Sequence, residues 1–223
     1  MPSRRALLGL VAALPLAAQL ARVRTALAAG QIEKGVYRAR GDARINGAAA
    51  KPGQDVRAGD VVTTGPNGEI VFVIARDAVL VRANSRVEVS GPVGSLVATG
   101  LRIVTGAVLS VFSPGQPKRI VTQTATIGVR GTGVYVEAQG DKTYVCTCYG
   151  IVDLVAAQDP ASRETVQTQH HDQPRYVMAK GAPQMIMGAP VVNHTDAELI
   201  LLESLVGRRP PFLDDPGYNP NQY

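Results

Sequence analysis

The sequence predicts an all-β protein: a sandwich, a jelly-roll-like fold or a coiled β stack of many short strands, followed by one C-terminal α-helix. The first observation is a succession of runs rich in β-branched and aromatic residues, separated by Gly, Pro and Asn, from Gly35 to about Ala156. Alternation is clearest in Glu69 to Ile74 and Gly133 to Glu137. Further runs lie at 41–45, 61–64, 79–82, 86–89, 101–104, 107–112, 119–124, 143–148 and 151–155. The second observation is the turn chemistry between them. Asn46-Gly47, Pro66-Asn67-Gly68, Pro114-Gly115 and Gly140-Asp141 supply residues that tolerate the positive φ of tight turns. The third is a change of character after Ala156, through a polar, loop-rich extension (157–213), to Thr195 and Glu198, whose spacing is that of a capping box. That box starts a helix over about 195–206, which Gly207 and Pro210 stop. Its apolar face, with Ala197, Leu199, Ile200, Leu201, Leu202, Leu205 and Val206, is too wide to stand alone, so the helix should dock on the sheet or on a partner. Residues 214–223, rich in Pro and Asn, are expected to form a disordered tail.

The first 28 residues carry an export address. Ser3-Arg4-Arg5 leads into the apolar run Ala6 to Ala21, and Ala26-Leu27-Ala28 places small residues where a signal peptidase cuts. Pro15 and Gln19 interrupt a run that is in any case shorter than the roughly 20 residues of a spanning helix, so a cleaved signal is expected rather than an anchor. Membrane contact would then come only through an uncleaved signal. The Arg4-Arg5 pair resembles the twin-arginine export motif, with Leu7 where that motif often carries Phe; the general secretory route stays open. These features predict a periplasmic or secreted protein. They also account for the charge. The four arginines that precede Glu33 belong to the 23 basic residues, and without them 19 remain against 18 acidic ones. A nearly neutral mature chain has no basic excess for phosphates, which removes nucleic acid from the expected partners.

A family resemblance rests on several short stretches taken together: Gly41-Asp42-Ala43-Arg44-Ile45-Asn46-Gly47, Ala58-Gly59-Asp60-Val61-Val62-Thr63-Thr64-Gly65, Gly106-Ala107-Val108, Val129-Arg130-Gly131-Thr132 and Tyr149-Gly150-Ile151-Val152. In combination they resemble the FecR domain over about 35–155. The resemblance implies the periplasmic part of a signalling protein; in the family a cytoplasmic segment controls a sigma factor in response to an outer-membrane receptor. Here only a signal-like segment precedes the FecR-like region. The expectation that carries over is a non-enzymatic, exported interaction module whose partner is an envelope protein or other periplasmic component. The motif glycines suit turn conformations, and Arg130 is expected to be buried and paired with a nearby acid or carbonyl.

Cys146-Thr147-Cys148 is the most unusual local feature, because a period-two strand sends both sulfurs to one face. An extended strand holds such a pair too far apart for a disulfide unless a bulge intervenes. Two same-face thiolates can chelate a metal. The chain's three histidines, His170, His171 and His194, with Met185 or Met187, offer soft or borderline donors to complete the set. Cys146, Cys148, His170 and His171 are therefore the candidate ligands of a metal or haem sensor. The competing reading makes the cysteines small buried hydrophobes or an oxidised pair, and His170-His171-Asp172 a solvated loop. No nucleophile elbow, phosphate loop or His-Glu-x-x-His motif is present, so no catalytic residue is singled out.

Overall fold

The computed structural model describes residues 33–219. The expected signal segment lies outside the described residues. Among them no helix is long and apolar enough to cross a membrane.

Fifteen strands share one hydrogen-bonded network that is arranged in two layers. The first layer holds β1 (Gly35–Arg40), β5 (Glu69–Ile74), β6 (Asp77–Val81), β11 (Gly133–Ala138), β14 (Arg175–Met178) and β15 (Ile186–Gly188). The second holds β2 (Ala43–Ile45), β3 (Ala48–Ala49), β4 (Val61–Thr64), β7 (Arg86–Ser90), β9 (Lys118–Val121), β10 (Ala125–Val129) and β13 (Asp159–Thr168). Two long strands, β8 (Gly100–Val111) and β12 (Lys142–Ala156), belong to both. The first part of β8 pairs with β7, and its last part with β6 and β11. Likewise β12 passes from β11 and β14 to β10 and β13. All pairings are antiparallel except β8 with β9.

The sequence expectation splits each long strand in two at a glycine, and the structure runs through both. Gly106 and Gly150 are corners within a strand, not chain reversals. Gly106 has φ +85°, and a Cβ there would lie 2.1 Å from Ser85 Oγ and 2.5 Å from Ser85 Cα. Gly150, at φ +92°, would place a Cβ 2.7 Å from Thr132 Oγ1. Only glycine fits both the conformation and the space.

Side-chain patterning explains the layers. Strands of the second layer alternate: Val87 and Val89 point inward and are buried, while Arg86 is exposed and Glu88 half-buried. The central first-layer strands β5, β6 and β11 are buried on both faces. Ile70, Phe72, Val79, Val81, Val134, Val136 and Val145 join the core between the layers. Val71, Val73, Leu80, Leu109, Tyr135 and Tyr144 face the other way into a second apolar cluster. That outer face needs a cover, and the C-terminal segment provides it. Leu199, Leu202 and Leu205 of α1 (Asp196–Leu205), with Val206 and Phe212, pack there, each contributing about 1.5–3 kcal/mol relative to exposure. Arg82 clamps the helix by donating through both terminal nitrogens to the Glu198 carboxylate at 2.7 and 2.8 Å.

Three sequence expectations are revised. The stretch after Ala156 is not mainly loop: β13, β14 and β15 lie in it, their polar side chains facing solvent while their backbones pair with β12 or with one another. The tail is ordered as far as it is described, with a 3-10 turn at Pro211–Asp214 and Tyr218 packed 5.3 Å from the Phe212 ring. Arg130 is exposed, though it does pair with an acid, Asp153.

Gly106→Ala should lower stability by about 2–4 kcal/mol through strain and overpacking, read as a lower urea midpoint. Burial alone would raise the Glu198 carboxyl, but hydrogen bonding and charge from Arg82 and the Thr195 backbone hold it below its ordinary 4.5. A depressed folded value gives stability that is present above about pH 4.5 and lost as pH falls through the folded value. Glu198→Gln should therefore flatten the acid side of the stability profile measured by thermal melts from pH 3 to pH 6.

Candidate metal centre

The site is built on a defect in β12. Gly133 pairs with Tyr149 and Val134 with Thr147, so Cys148 is an extra residue, a β-bulge. The bulge shifts the phase of the strand. Before it Val145 faces the inner core; after it Val152, Leu154 and Ala156 do. Alternation puts Tyr144, Cys146 and Cys148 on the outer face, and the bulge adds Tyr149 to them. The two thiols are thus brought to one face, as alternation predicts, and both are free and fully buried.

The turn after β13 delivers an imidazole. Asp172 gathers it by accepting the Gln169 N–H at 3.0 Å, and the His171 N–H donates to the Cys148 carbonyl at 3.0 Å. His171 sits in the left-handed region at φ 55°, a conformation costing about 1–2 kcal/mol that its surroundings must enforce. A second imidazole comes from the residue before the helix cap. His194 stacks on Tyr135 at 4.6 Å, and its Nδ1–H donates to the Val192 carbonyl at 2.7 Å.

One ligating atom from each of Cys146, Cys148, His171 and His194 lies within 4.8 Å of all the others. Cys146 Sγ is 3.4 Å from His171 Nδ1, and that nitrogen is 3.0 Å from His194 Nε2. The outer ring nitrogens are already committed. His194 Nδ1 must carry its proton to donate to a carbonyl, and His171 Nε2 faces the buried Asp196 carboxylate at 3.1 Å. The inner nitrogens therefore present lone pairs to each other across 3.0 Å, which requires a proton or a cation between them. The thiols are polarised in the same sense. The Cys148 hydrogen bond, with those of His171 and His194, holds Cys146 well below the ordinary thiol value against the opposing effect of burial. Burial, then the neighbouring Cys146 charge, pushes Cys148 well above it. Burial opposes a charged His171, but Cys146 and Asp196 outweigh it and raise that group.

His170 is turned away from the thiols. Its Nε2 meets both Asp196 oxygens at 2.8 and 3.0 Å, and its ring packs on Phe212 at 4.5 Å. Met185 packs against the inner core and Met187 is exposed. The position expected for His170 is taken by His194, and Asp196 joins as the shared acceptor. Consecutive residues in a turn rarely aim both side chains at one point, and that was the available signal against the His170-His171 pair. The four donors converge on a point with no slot between them for a planar macrocycle, so the cluster does not fit haem.

Cys146, His171 and Asp196 also lie in the thiol, imidazole, carboxylate order of nucleophilic enzymes. Here the sulfur has no exposed surface. A nearby cavity of about 480 Å³ is lined by Tyr149, Thr168, Phe212 and Asp214, and a smaller one of about 190 Å³ by His170, Asp172 and Tyr218; neither touches the four donors.

Residues 60–153 match the sequence model of the family described as FecR protein. The FecR assignment applies to those residues. The match begins just before β4 and ends within β12, so it contains Cys146, Cys148 and both glycine corners. Two crystal structures of a Parabacteroides distasonis protein described as a candidate anti-sigma factor align with the chain. Identities are 13% and 14%, and each alignment covers 58% of this chain and 58% of that one at a TM-score of 0.47. The chain thus spans less than two thirds of those proteins. No curated protein matches it.

Both thiols should react with a chromogenic disulfide reagent at least ~100-fold more slowly in the folded protein than in denaturant, where two thiols per chain should titrate.

Proposed function

We propose that the chain is an exported, non-catalytic signalling protein of the FecR type that binds one zinc ion through Cys146, Cys148, His171 and His194. The FecR domain supports the signalling role, and the twin-arginine-like address at the N-terminus supports work in the periplasm or beyond, in contact with another envelope component. The observation that carries the metal reading is the convergence of two sulfurs and two inward-facing ring nitrogens within 4.8 Å. Two thiolates and two imidazoles make a tetrahedral donor set suited to zinc, whose bonds of about 2.0–2.3 Å place neighbouring donors roughly 3.3–3.8 Å apart. Two of the donor pairs, at 3.0 and 3.4 Å, lie close to that, and all four donors are within 4.8 Å of one another. All four positions come from the protein and are buried, so no open position is left for a substrate; the closed arrangement is that of a structural or regulatory ion. Asp196 and the Val192 carbonyl fix the two rings from outside, as second-shell partners of metal-bound histidines do. Binding would displace the proton that Cys148 holds.

Elemental analysis of the full chain, purified under reducing conditions without chelator, should find one zinc per chain. Cys146→Ser/Cys148→Ser should be metal-free and His170→Ala should keep its zinc. Asp196→Asn should bind about 10–100-fold more weakly in a chelator competition. A chain that neither contains zinc nor takes it up from a chelator-buffered solution would overturn the reading.

A further inference from the structure

The four donors do not belong to one part of the chain. Cys146 and Cys148 are on β12 and His171 is on the turn after β13, whereas His194 stands at the head of the segment that covers the outer face. Residues 189–219 run across that face as an added layer. Tyr144 Oη donates to the Pro190 carbonyl and accepts the Val192 N–H, and Asn193 Nδ2 donates to Glu137. Further along, Arg82 holds Glu198 and Tyr149 Oη donates to Glu203 at 2.5 Å. None of the four donors lies in the core between the layers, which is built from other residues of both sheets. The cluster sits wholly on the covered side.

We infer that the bound ion is a latch, which fastens the 189–219 segment to the sheet through His194 and lets that segment come away when the ion leaves. The inference rests on the zinc reading above. With the ion in place, His194 is bonded through the metal to β12 and to the β13–β14 turn. Without it, the His194 ring keeps its own Val192 carbonyl, the Tyr135 face and a nitrogen facing another nitrogen at 3.0 Å. The helix beyond is then held by the Arg82–Glu198 clamp, whose two partners are about a quarter exposed, by Tyr149 and Arg208 on Glu203, by His170 and His171 on Asp196, and by its apolar face. Release bares Val71, Val73, Leu80, Leu109, Tyr135 and Tyr144 while the inter-layer core stays closed. Metal occupancy is thereby converted into exposure of one sheet face, a signal a partner can read.

Hydrogen exchange read by mass spectrometry on the zinc-loaded and chelator-stripped full chain, with zinc content measured on the same samples, tests this. Removal of zinc should speed exchange across 192–213 by roughly tenfold or more while β4, β7 and β10 keep their protection. His194→Ala, which retains three donors, should show the fast exchange even at saturating zinc, and the protected second-layer strands report that it is folded. Zinc that binds and leaves with no change in 192–213 would overturn the latch and leave the metal reading intact. Loss of protection throughout the second layer on stripping would also overturn it, because the ion would then be holding the whole fold. A wild-type chain that binds no zinc would remove both.

Discussion

The constraint on which the rest of this structure depends is the burial of the central first-layer strands on both faces. A sheet with one wet face needs one apolar side per strand, and the second layer has that economy in Val87 and Val89 against Arg86 and Glu88. The first layer has Val71 and Val73 as well as Ile70 and Phe72, and Leu80 as well as Val79 and Val81. Left uncovered, that second set would form an exposed apolar patch of the kind that drives association. The α1 helix, with an apolar face it cannot support alone, answers this requirement. Helix and outer sheet face each make the other necessary, and the Cys/His cluster lies at the seam where they meet.

The cluster also depends on the way β12 serves two sheets. A regular strand of that length would keep one parity inward throughout, and Cys148 and Tyr149 would point to opposite sides. The bulge at Cys148 and the corner at Gly150 let the strand change layers while still presenting inward-facing apolar residues to the common core. One irregularity thus redirects the strand and adds Tyr149 to the face that already carries both thiols. The unusual backbone at His171 belongs to the same arrangement: its N–H is tied to the carbonyl of the bulged residue Cys148, so the bulge helps to position the imidazole.

Much of this was legible in the residues, and the failures share a cause. Strands with clean local signals, such as Val61–Thr64 and Glu69–Ile74, are found where alternation and branched residues place them. The helix is found where Thr195 and Glu198 set its start. Gly106 and Gly150 were misread as breaks because positive φ serves a turn and an in-strand corner alike, and only the approach of Ser85 or Thr132 tells them apart. β13 was hidden because Ser162, Arg163, Glu164 and Thr165 give it a largely polar sequence; its pairing with β12, not its own hydrophobicity, makes it a strand. In the site, period two placed the thiols. Choosing among His170, His171 and His194 required the fold of a turn and the docking of a helix, and no local pattern contains either.

The boundary of the FecR match sharpens the meaning of the cluster. Matched residues end at 153, so the region supplies Cys146 and Cys148, while His171, His194 and Asp196 all lie beyond it. Residues 60–153 of this chain alone would leave two same-face thiols under an uncovered sheet with no imidazole beside them. The extension brings the missing donors and the cover together, on one stretch of chain, and Asp196 accepts from a histidine of the turn as the first residue of the covering helix. The Cys/His cluster and closure of the outer face are therefore linked by covalent connectivity: whatever moves α1 moves His194. The centre is best understood as a property of the joint between the FecR domain and its C-terminal extension, not of either part alone.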